Sequence, residues 1–183
     1  LKEANISEVV GKGANGGVNL TRVEVDVANV TKGTPEYNIL NAPPPNSQVK
    51  LSNGTEFKTN PSGYVDELTY SPSLNTGVRD ARQTAVGKEG LSTDVGGHVQ
   101  ACSLGGTCDR FNLFPQDGNF NNSGYKRWEN EIKGALNNGD QVGPVTVRFN
   151  RTDPASARPD SLIIDYSVNG VPKQRFFENK AGK

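Results

Sequence analysis

The chain has a single histidine, His98, and a series of amide and carboxylate side chains follows it. Imidazole is the side chain best matched to moving a proton near neutral pH, and Asn and Glu oxygens suit a hard cation such as Mg²⁺. The histidine ends the segment Asp94-Val95-Gly96-Gly97-His98, and the later segment reads Asn112-x-x-Pro115-Gln116-x4-Asn121-x3-Tyr125-x3-Glu129. A candidate general base ahead of such ligands points to hydrolysis of phosphodiester bonds.

The composition indicates one main domain with many loops. The chain has 183 residues, of which 33% are hydrophobic, 21 are Gly and 11 are Pro. This length supports one core, and the many turn residues predict long loops, where functional sites tend to lie. The formal net charge is zero, so the basic charge that is usual for nucleic-acid binders is absent.

The chain contains no Met, even at position 1, from which we expect a piece of a larger protein. No apolar run approaches the length of a membrane span or a signal-peptide core, so we expect no membrane span in this piece and an export signal upstream in the parent. Cys102 and Cys108 could form a disulfide across a small loop or remain free thiols. With one histidine they cannot complete a four-ligand zinc site unless carboxylates contribute.

The hydrophobic pattern predicts strands, then a long irregular stretch over 102–122, then a helix. Apolar residues recur at helical spacing over 125–136, which predicts a helix with Tyr125 and Trp128 in the core. Hairpins are predicted at Ser52-Asn53-Gly54 and Asn169-Gly170. Further strands are predicted at 23–27, 64–70, 97–101, 145–149 and 161–168, and an extended connector at 43–45.

The two motif segments resemble the DNA/RNA non-specific endonucleases of the ββα-metal (His-Me finger) superfamily. Members occur as C-terminal toxin domains of bacterial secreted proteins, including polymorphic and contact-dependent inhibition toxins. The resemblance covers roughly residues 79–136 and rests on several fixed offsets in the later segment. It implies an α+β fold with a mainly antiparallel sheet, a ββα-metal element and few helices. We expect an N-terminal linker or accessory segment at 1–35 and the nuclease domain at 36–183, with its motif core at 79–136.

The resemblance implies a role for each motif residue. His98 would be the general base that deprotonates a water molecule. Asn121 would be the direct ligand of a single Mg²⁺, for which Mn²⁺ can substitute, and Glu129 would orient water at the cation and add a second ligand. Asn112 would hydrogen-bond the phosphate or support the histidine. Gln116 would fix the loop beside the substrate.

The histidine segment departs from the family pattern at Val95. Many members have Asp-Arg-Gly-His or Asp-Asp-Gly-Gly-His there, so this chain lacks the arginine or the second acid. The cation that contacts the scissile phosphate must then come from elsewhere in the chain. We predict Arg82, with Arg79 second, because a guanidinium group binds phosphate oxygens in a bidentate manner.

The resemblance further implies a Mg²⁺-dependent endonuclease that cleaves DNA and also RNA. It would be the toxic domain of a larger secreted bacterial protein, delivered to the cytoplasm of a target cell, with a cognate immunity protein in the producing cell. Two alternatives remain open. A metal-independent ribonuclease would need a Lys or Glu partner for the single histidine. A non-catalytic binding module on a degenerate nuclease scaffold is favoured by Val95.

Overall fold

In the computed structural model, a large sheet carries the core and a separate hairpin lies against it. The structure describes residues 5–8 and 19–182. The strands are β1 (Asn5–Glu8), β2 (Thr21–Val25), β3 (Ser47–Leu51), β4 (Glu56–Thr59), β5 (Val65–Tyr70), β6 (Asp94–His98), β7 (Leu113–Asp117), β8 (Val145–Asn150), β9 (Ser161–Val168) and β10 (Val171–Glu178). The helices are α1 (Pro35–Asn41), α2 (Arg82–Gly87), α3 (Gly118–Asn122) and α4 (Gly124–Asn137). The predicted α+β fold with a mainly antiparallel sheet and few helices is confirmed.

The large sheet has the strand order β1-β2-β3-β4-β5-β8-β9-β10. Its neighbouring strands run antiparallel except β2 and β3, which are parallel. Parallel neighbours need a crossover, and α1 lies in that connection. Thr34 caps this helix by accepting a hydrogen bond from the Tyr37 amide at 3.2 Å, and Pro35 occupies its first turn. The sequence pattern predicted no helix here.

The predicted hairpins and the long helix are confirmed. β3 pairs with β4 around the 52–54 turn, and β9 pairs with β10 around Asn169 and Gly170. Asn169 and Gly170 have positive φ values of 51° and 78°, as a type I′ turn requires. Helix α4 covers the predicted range 125–136. Within the described residues, no helix is long and apolar enough to cross a membrane.

The core forms where alternating apolar side chains of the sheet meet α4. In β8, Val145 and Val147 are buried while the side chain of Arg148 faces solvent. Trp128 of α4 contacts Tyr166 of β9, with their ring centroids 5.8 Å apart. Tyr125 and Trp128 are therefore core residues, as the helical spacing predicted.

The hairpin formed by β6 and β7 stands apart from the large sheet and is followed by α3 and α4, which gives a ββα arrangement. Phe114 of β7 connects it to the sheet through a ring contact with Phe149, at 5.1 Å between centroids. The predicted domain boundary at residue 35 stays a prediction. Strand β2, which precedes it, pairs with β3 in the large sheet, and residues 1–4 and 9–18 of the predicted N-terminal segment lie outside the described residues.

Candidate active site

Two glycines allow the strand before the histidine to pack closely on its neighbours. A Cβ atom at Gly96 would lie 1.9 Å from the carbonyl oxygen of Gln83 in α2. A Cβ atom at Gly97 would lie 1.9 Å from Oε1 of Gln116. A larger residue at Gly96 would clash with the Gln83 backbone, and one at Gly97 would displace the buried Gln116 side chain, so the close packing that positions His98 depends on both glycines.

His98 is buried, and its nearest polar neighbour is Cys108. The side chain is 7% exposed, and its Nε2 atom lies 3.5 Å from Cys108 Sγ. The same sulfur lies 3.3 Å from the carbonyl oxygen of Val78. Because a thiol has one proton and a carbonyl can only accept, we assign the S–H to the carbonyl and the imidazole proton to Nε2. This tautomer leaves a lone pair on Nδ1 that can accept a proton.

The surroundings of His98 favour its neutral form. Burial lowers the pKa of His98 to about 4, the positive charge of Arg79 lowers it further, and the negative charge of Asp80 opposes this. The imidazole is therefore neutral at neutral pH. A neutral imidazole is the form that can act as a general base.

Asn112 holds the chain that follows the histidine. Its Oδ1 accepts from the Gln100 amide at 2.8 Å, and its Nδ2 donates to the carbonyl oxygens of Gln100 at 3.0 Å and Thr107 at 2.9 Å. The Asn112 carbonyl also accepts from the Val99 amide at 2.8 Å. A hydrogen bond from Asn112 to phosphate does not fit, because the side chain is buried and both donors are used. Support of the histidine segment does fit.

Gln116 lies beneath Gly97 and has no access to solvent. Neither its Oε1 nor its Nε2 atom has a hydrogen-bond partner among the residues that the structure describes. Contact with a substrate therefore does not fit its position. Gln116 instead packs against the backbone just before His98.

Asn121 lies on the short helix α3, which begins after Asp117. The Asp117 carboxylate accepts from the Phe120 amide at 2.9 Å and caps this helix. Asn121 is half-buried, and its side chain has no hydrogen bond within 19–182. Its neighbour Asn122 donates Nδ2 to the Gly118 carbonyl at 3.0 Å and is exposed. Of the two adjacent amides, that of Asn122 is tied to its own helix by this hydrogen bond, whereas that of Asn121 is not.

Glu129 lies on α4, the helix that packs against the histidine segment. The Tyr125 hydroxyl donates to the Val99 carbonyl at 2.6 Å and joins this helix to the residue after His98. Burial raises the pKa of Glu129 to about 8, although the positive charges of Arg79 and Lys126 oppose this. A carboxyl group with such a perturbed pKa, within range of the same arginine as His98, is typical of a functional site.

Arg82 is held by other side chains. Its guanidinium group forms an ion pair with Asp80, and its Nη1 donates to Asp109 at 2.8 Å and to Asn41 at 2.9 Å. The predicted role of Arg82 as the main phosphate ligand does not fit this arrangement, because a phosphate would have to displace these partners.

Arg79 is exposed and has no hydrogen bond or ion pair in the part of the chain that the structure describes. Its charge lowers the pKa of both His98 and Glu129, so it lies within electrostatic range of both groups. Arg79, the second choice from sequence, is therefore the better-placed cation.

The motif offers two oxygen donors that could hold a cation, on α3 and α4. Within residues 19–182, no group of three or more His, Cys, Asp or Glu side chains could bind a metal ion. A cation would thus have few protein ligands, here the Asn121 amide oxygen and the Glu129 carboxylate. Mg²⁺ commonly keeps several waters and binds through one or two protein oxygens, so this donor set fits it.

The sequence did not predict the buried ion pair between Arg158 and Asp94, which lies beneath the hairpin. Arg158 donates Nε to Asp94 at 2.7 Å and Nη2 to the Asn179 carbonyl at 2.6 Å. The Asn179 side chain accepts from the Asp117 amide at 2.8 Å and donates to the Pro115 carbonyl at 3.0 Å. Asp94 is visible as the first residue of the histidine segment, but no local signal identifies partners so distant in sequence.

The residues of this site lie in a stretch that matches a known family. The family model for DNA/RNA non-specific endonuclease matches residues 63–170, more than half of the chain. The chain belongs to this family. The endonuclease match includes His98, Asn121, Glu129 and Arg79, and the family predicted from the motif is confirmed.

The endonuclease domain is also similar to larger proteins of a secretion system. The type VII secretion system protein EssD of Staphylococcus aureus strain USA300 is 34% identical over 125 residues, which are 64% of this chain and 19% of EssD. The EssD proteins of strains NCTC 8325 / PS 47 and Newman match to the same extent. The chain thus covers about a fifth of the length of these relatives.

Proposed function

We propose that this endonuclease domain hydrolyses the phosphodiester bonds of DNA, and also of RNA, with the help of one Mg²⁺ ion, for which Mn²⁺ can substitute. The observation that carries the proposal is the buried, neutral His98, whose Nε2–H is directed to Cys108 and whose Nδ1 is left as a base. It lies within the family motif and within electrostatic range of Arg79, which has no hydrogen bond or ion pair among the described residues.

In this mechanism His98 removes a proton from the attacking water. The water oxygen then attacks phosphorus in line with the leaving oxygen. Because burial lowers the pKa of His98 to about 4, the free imidazole is a weak base. A bound phosphate brings negative charge close to the ring and raises its pKa, so binding of the substrate strengthens the base that the reaction needs.

Arg79 neutralises charge on the phosphate as the reaction proceeds. Its guanidinium group can donate two parallel hydrogen bonds to phosphate oxygens, and no partner within the described residues competes for it. Its charge also opposes the burial that raises the pKa of Glu129 and thus favours the carboxylate form.

Asn121 and Glu129 would hold the cation. The amide would contribute a neutral oxygen donor. Glu129, whose pKa of about 8 leaves it mostly protonated at neutral pH, would lose its proton and become a charged donor when the cation binds. When bound, the cation stabilises negative charge that develops on the phosphate and on the leaving oxygen.

We further propose that the domain is a toxin carried by a larger secreted bacterial protein. The similarity to about a fifth of a type VII secretion system protein supports export as part of a longer chain. A nuclease that acts in the cytoplasm of a competing cell would also damage the producing cell, which would therefore need a cognate immunity protein. Expression in the cytoplasm of a test bacterium should stop growth, whereas expression of His98→Ala should not.

The decisive test is a cleavage assay on double-stranded DNA, single-stranded DNA and RNA, with Mg²⁺, with Mn²⁺ and with EDTA. The wild type should cut DNA only when a cation is present, and His98→Ala should be slower by about 10³-fold with unchanged folding. RNA cleavage that persists in EDTA without DNA cleavage would establish the metal-independent ribonuclease instead. Intact substrates in every condition would support the non-catalytic module.

The cation ligand has a matched control in the next residue. Asn121→Ala should slow cleavage and raise the Mg²⁺ concentration needed for half-maximal rate by about tenfold, a typical loss for one ligand. Asn122→Ala should leave that concentration unchanged, because the Asn122 amide is bonded to Gly118 within its own helix. Equal Mg²⁺ titrations for both variants would contradict the ligand assignment.

A further inference from the structure

Two buried thiols hold the backbone just before Arg79. Cys102 and Cys108 are both free, and they lie 5% and 1% exposed. Cys102 Sγ is 3.1 Å from the Gly77 carbonyl oxygen, and Cys108 Sγ is 3.3 Å from the Val78 carbonyl oxygen. The thiols therefore anchor two consecutive residues of the segment that ends at Arg79.

The loop between the cysteines turns back on itself. The Ala101 carbonyl accepts from the amides of Leu104 and Gly106, each at 2.9 Å, and Gly105 has a φ of 97°. One Nδ2 atom of Asn112 binds both ends of the loop, at the carbonyls of Gln100 and Thr107. The two cysteines follow these bridged residues. The fold thus brings the two ends of the loop together. Burial raises the pKa of Cys108, and its electrostatic interaction with Cys102 raises it further, so the two sulfurs lie within electrostatic range of each other.

From these contacts we propose that Cys102 and Cys108 form a reversible disulfide that inactivates the endonuclease, and that reduction of this bond activates it. The inference rests on the proposed role of His98 and goes beyond it, because it adds a redox control to the site. Of the two sulfurs, only that of Cys108 touches the imidazole.

The bond forms by two exchange steps with a small disulfide such as oxidised glutathione. One protein thiolate attacks a glutathione sulfur, breaks its S–S bond and forms a mixed disulfide. The second protein thiolate attacks the protein sulfur of that mixed disulfide and releases the other glutathione. Two protein thiols are oxidised, one glutathione disulfide is reduced to two thiols, and the two protein protons pass to the released thiolates.

Oxidation changes both halves of the site. It removes the S–H donors that hold the carbonyls of Gly77 and Val78, so the segment that carries Arg79 loses its anchor. It also draws the Cys108 sulfur toward Cys102 and away from His98 Nε2, which removes the contact that fixes the imidazole tautomer. We expect the bridged form to cleave at least tenfold more slowly than the dithiol form.

Exchange requires the segment that contacts the thiols to move away from them. Residues 71–81 join β5 to α2 without regular secondary structure, and the Val78 side chain is 83% exposed. Extracellular surroundings favour the disulfide, whereas the cytosol keeps thiols reduced. The bridge would therefore keep an exported domain inactive until it reaches a cytosol.

The test compares wild type and Cys102→Ser after incubation with oxidised glutathione and then with dithiothreitol. Cleavage rate is followed together with intact mass, since an internal bridge removes two hydrogens and a glutathione adduct adds mass. The wild type should lose two hydrogens and at least tenfold in rate, and dithiothreitol should restore both. Cys102→Ser keeps a hydroxyl donor for the Gly77 carbonyl and cannot form the bridge, so its rate should stay constant.

A spectroscopic measurement separates this inference from the nuclease proposal. His98 is the only histidine, so its ring signals in the NMR spectrum need no assignment. They should shift when the bridge forms, whether or not the protein cuts nucleic acid. The inference would be overturned if the bridged wild type cleaved as fast as the dithiol form. It would also be overturned if the two thiols never formed the bridge. A reduced wild type that cuts nothing would count against the nuclease proposal instead.

Discussion

The large sheet and the ββα element use their polar groups in opposite ways. On the sheet, charged side chains lie at the surface and are paired, as Arg148 is with Glu67 and Asp165. In the ββα element, two buried polar side chains lack such pairing. The Gln116 side chain has no hydrogen bond in the described part of the chain, and burial holds His98 in its neutral form.

The difference indicates that the two regions serve different ends. Paired surface charges add little free energy but cost little, and the apolar face beneath them stabilises the fold. Buried polar groups without partners cost stability, and proteins retain them where chemistry needs them. The sheet therefore supplies the stability that the candidate site lowers.

The largest effect on stability should come from the buried ion pair between Asp94 and Arg158, whose two charges are paired with each other. Asp94→Asn leaves Arg158 facing a neutral partner, and loss of one member of a buried pair commonly costs about 3 kcal/mol. Urea unfolding should show a loss of that size. A loss below 1 kcal/mol would show that the sheet alone stabilises the molecule.

Substitution of Arg79 should affect cleavage, whereas substitution of Arg82 should affect stability. Arg79→Ala should slow cleavage about 100-fold, because it removes the unpaired cation from the phosphate. It should also raise the pKa of His98 above about 4, since the Arg79 charge lowers it. Arg82→Ala should lower stability and change the rate per folded molecule by less than tenfold. The assay compares initial rates at equal folded protein, and the reverse order of effects would restore Arg82 as the phosphate ligand.

The pH dependence of stability should reveal the buried histidine. The pKa of His98 is lowered from 6.5 to about 4, so its contribution is fully present above pH 6.5 and is lost as the pH falls toward 4. The free energy of unfolding should fall by about 2 kcal/mol more in wild type than in His98→Asn between pH 7.5 and 4.5. Parallel pH curves would mean that the folded protein protonates His98 without penalty.

The smallest change should come from the sheet surface. Arg148→Ala removes an exposed residue that pairs with Glu67 and Asp165, and such pairs contribute about 0.5 kcal/mol or less. The melting temperature should stay within a few degrees of wild type, and the cleavage rate should not change. A larger loss of stability would make the surface pairs of the sheet comparable with the buried pair of the hairpin.

Local signals made much of the fold predictable. The turn at 169–170 and the helix over 125–136 follow from turn chemistry and apolar spacing, which act over a few residues. Helix α1 was not predicted although Thr34 and Pro35 form a recognisable start, because its seven residues are too few for a helical period of apolar side chains to show.

The candidate site was less predictable, because long-range contacts decide which of its residues are free to meet a substrate. The resemblance assigned roles to His98, Asn121 and Glu129, which stand close together along one segment, and these roles stay predictions. It could not rank Arg82 against Arg79, since the ranking depends on Asp109 and other partners far along the chain. The exclusion of Gln116 from the substrate surface likewise depends on burial that no local pattern encodes.

The hydrogen bonds of Asn179 can form only late in synthesis, because this residue follows every motif residue in the chain. This residue ties β7 to the carbonyl of Pro159 and, through its own carbonyl, to Arg158. A ribosome makes the hairpin and α4 well before it reaches this residue. A nascent chain that already contains every motif residue therefore still lacks the clamp beneath the hairpin, and we expect the candidate site to reach its final geometry only after Asn179 has been translated.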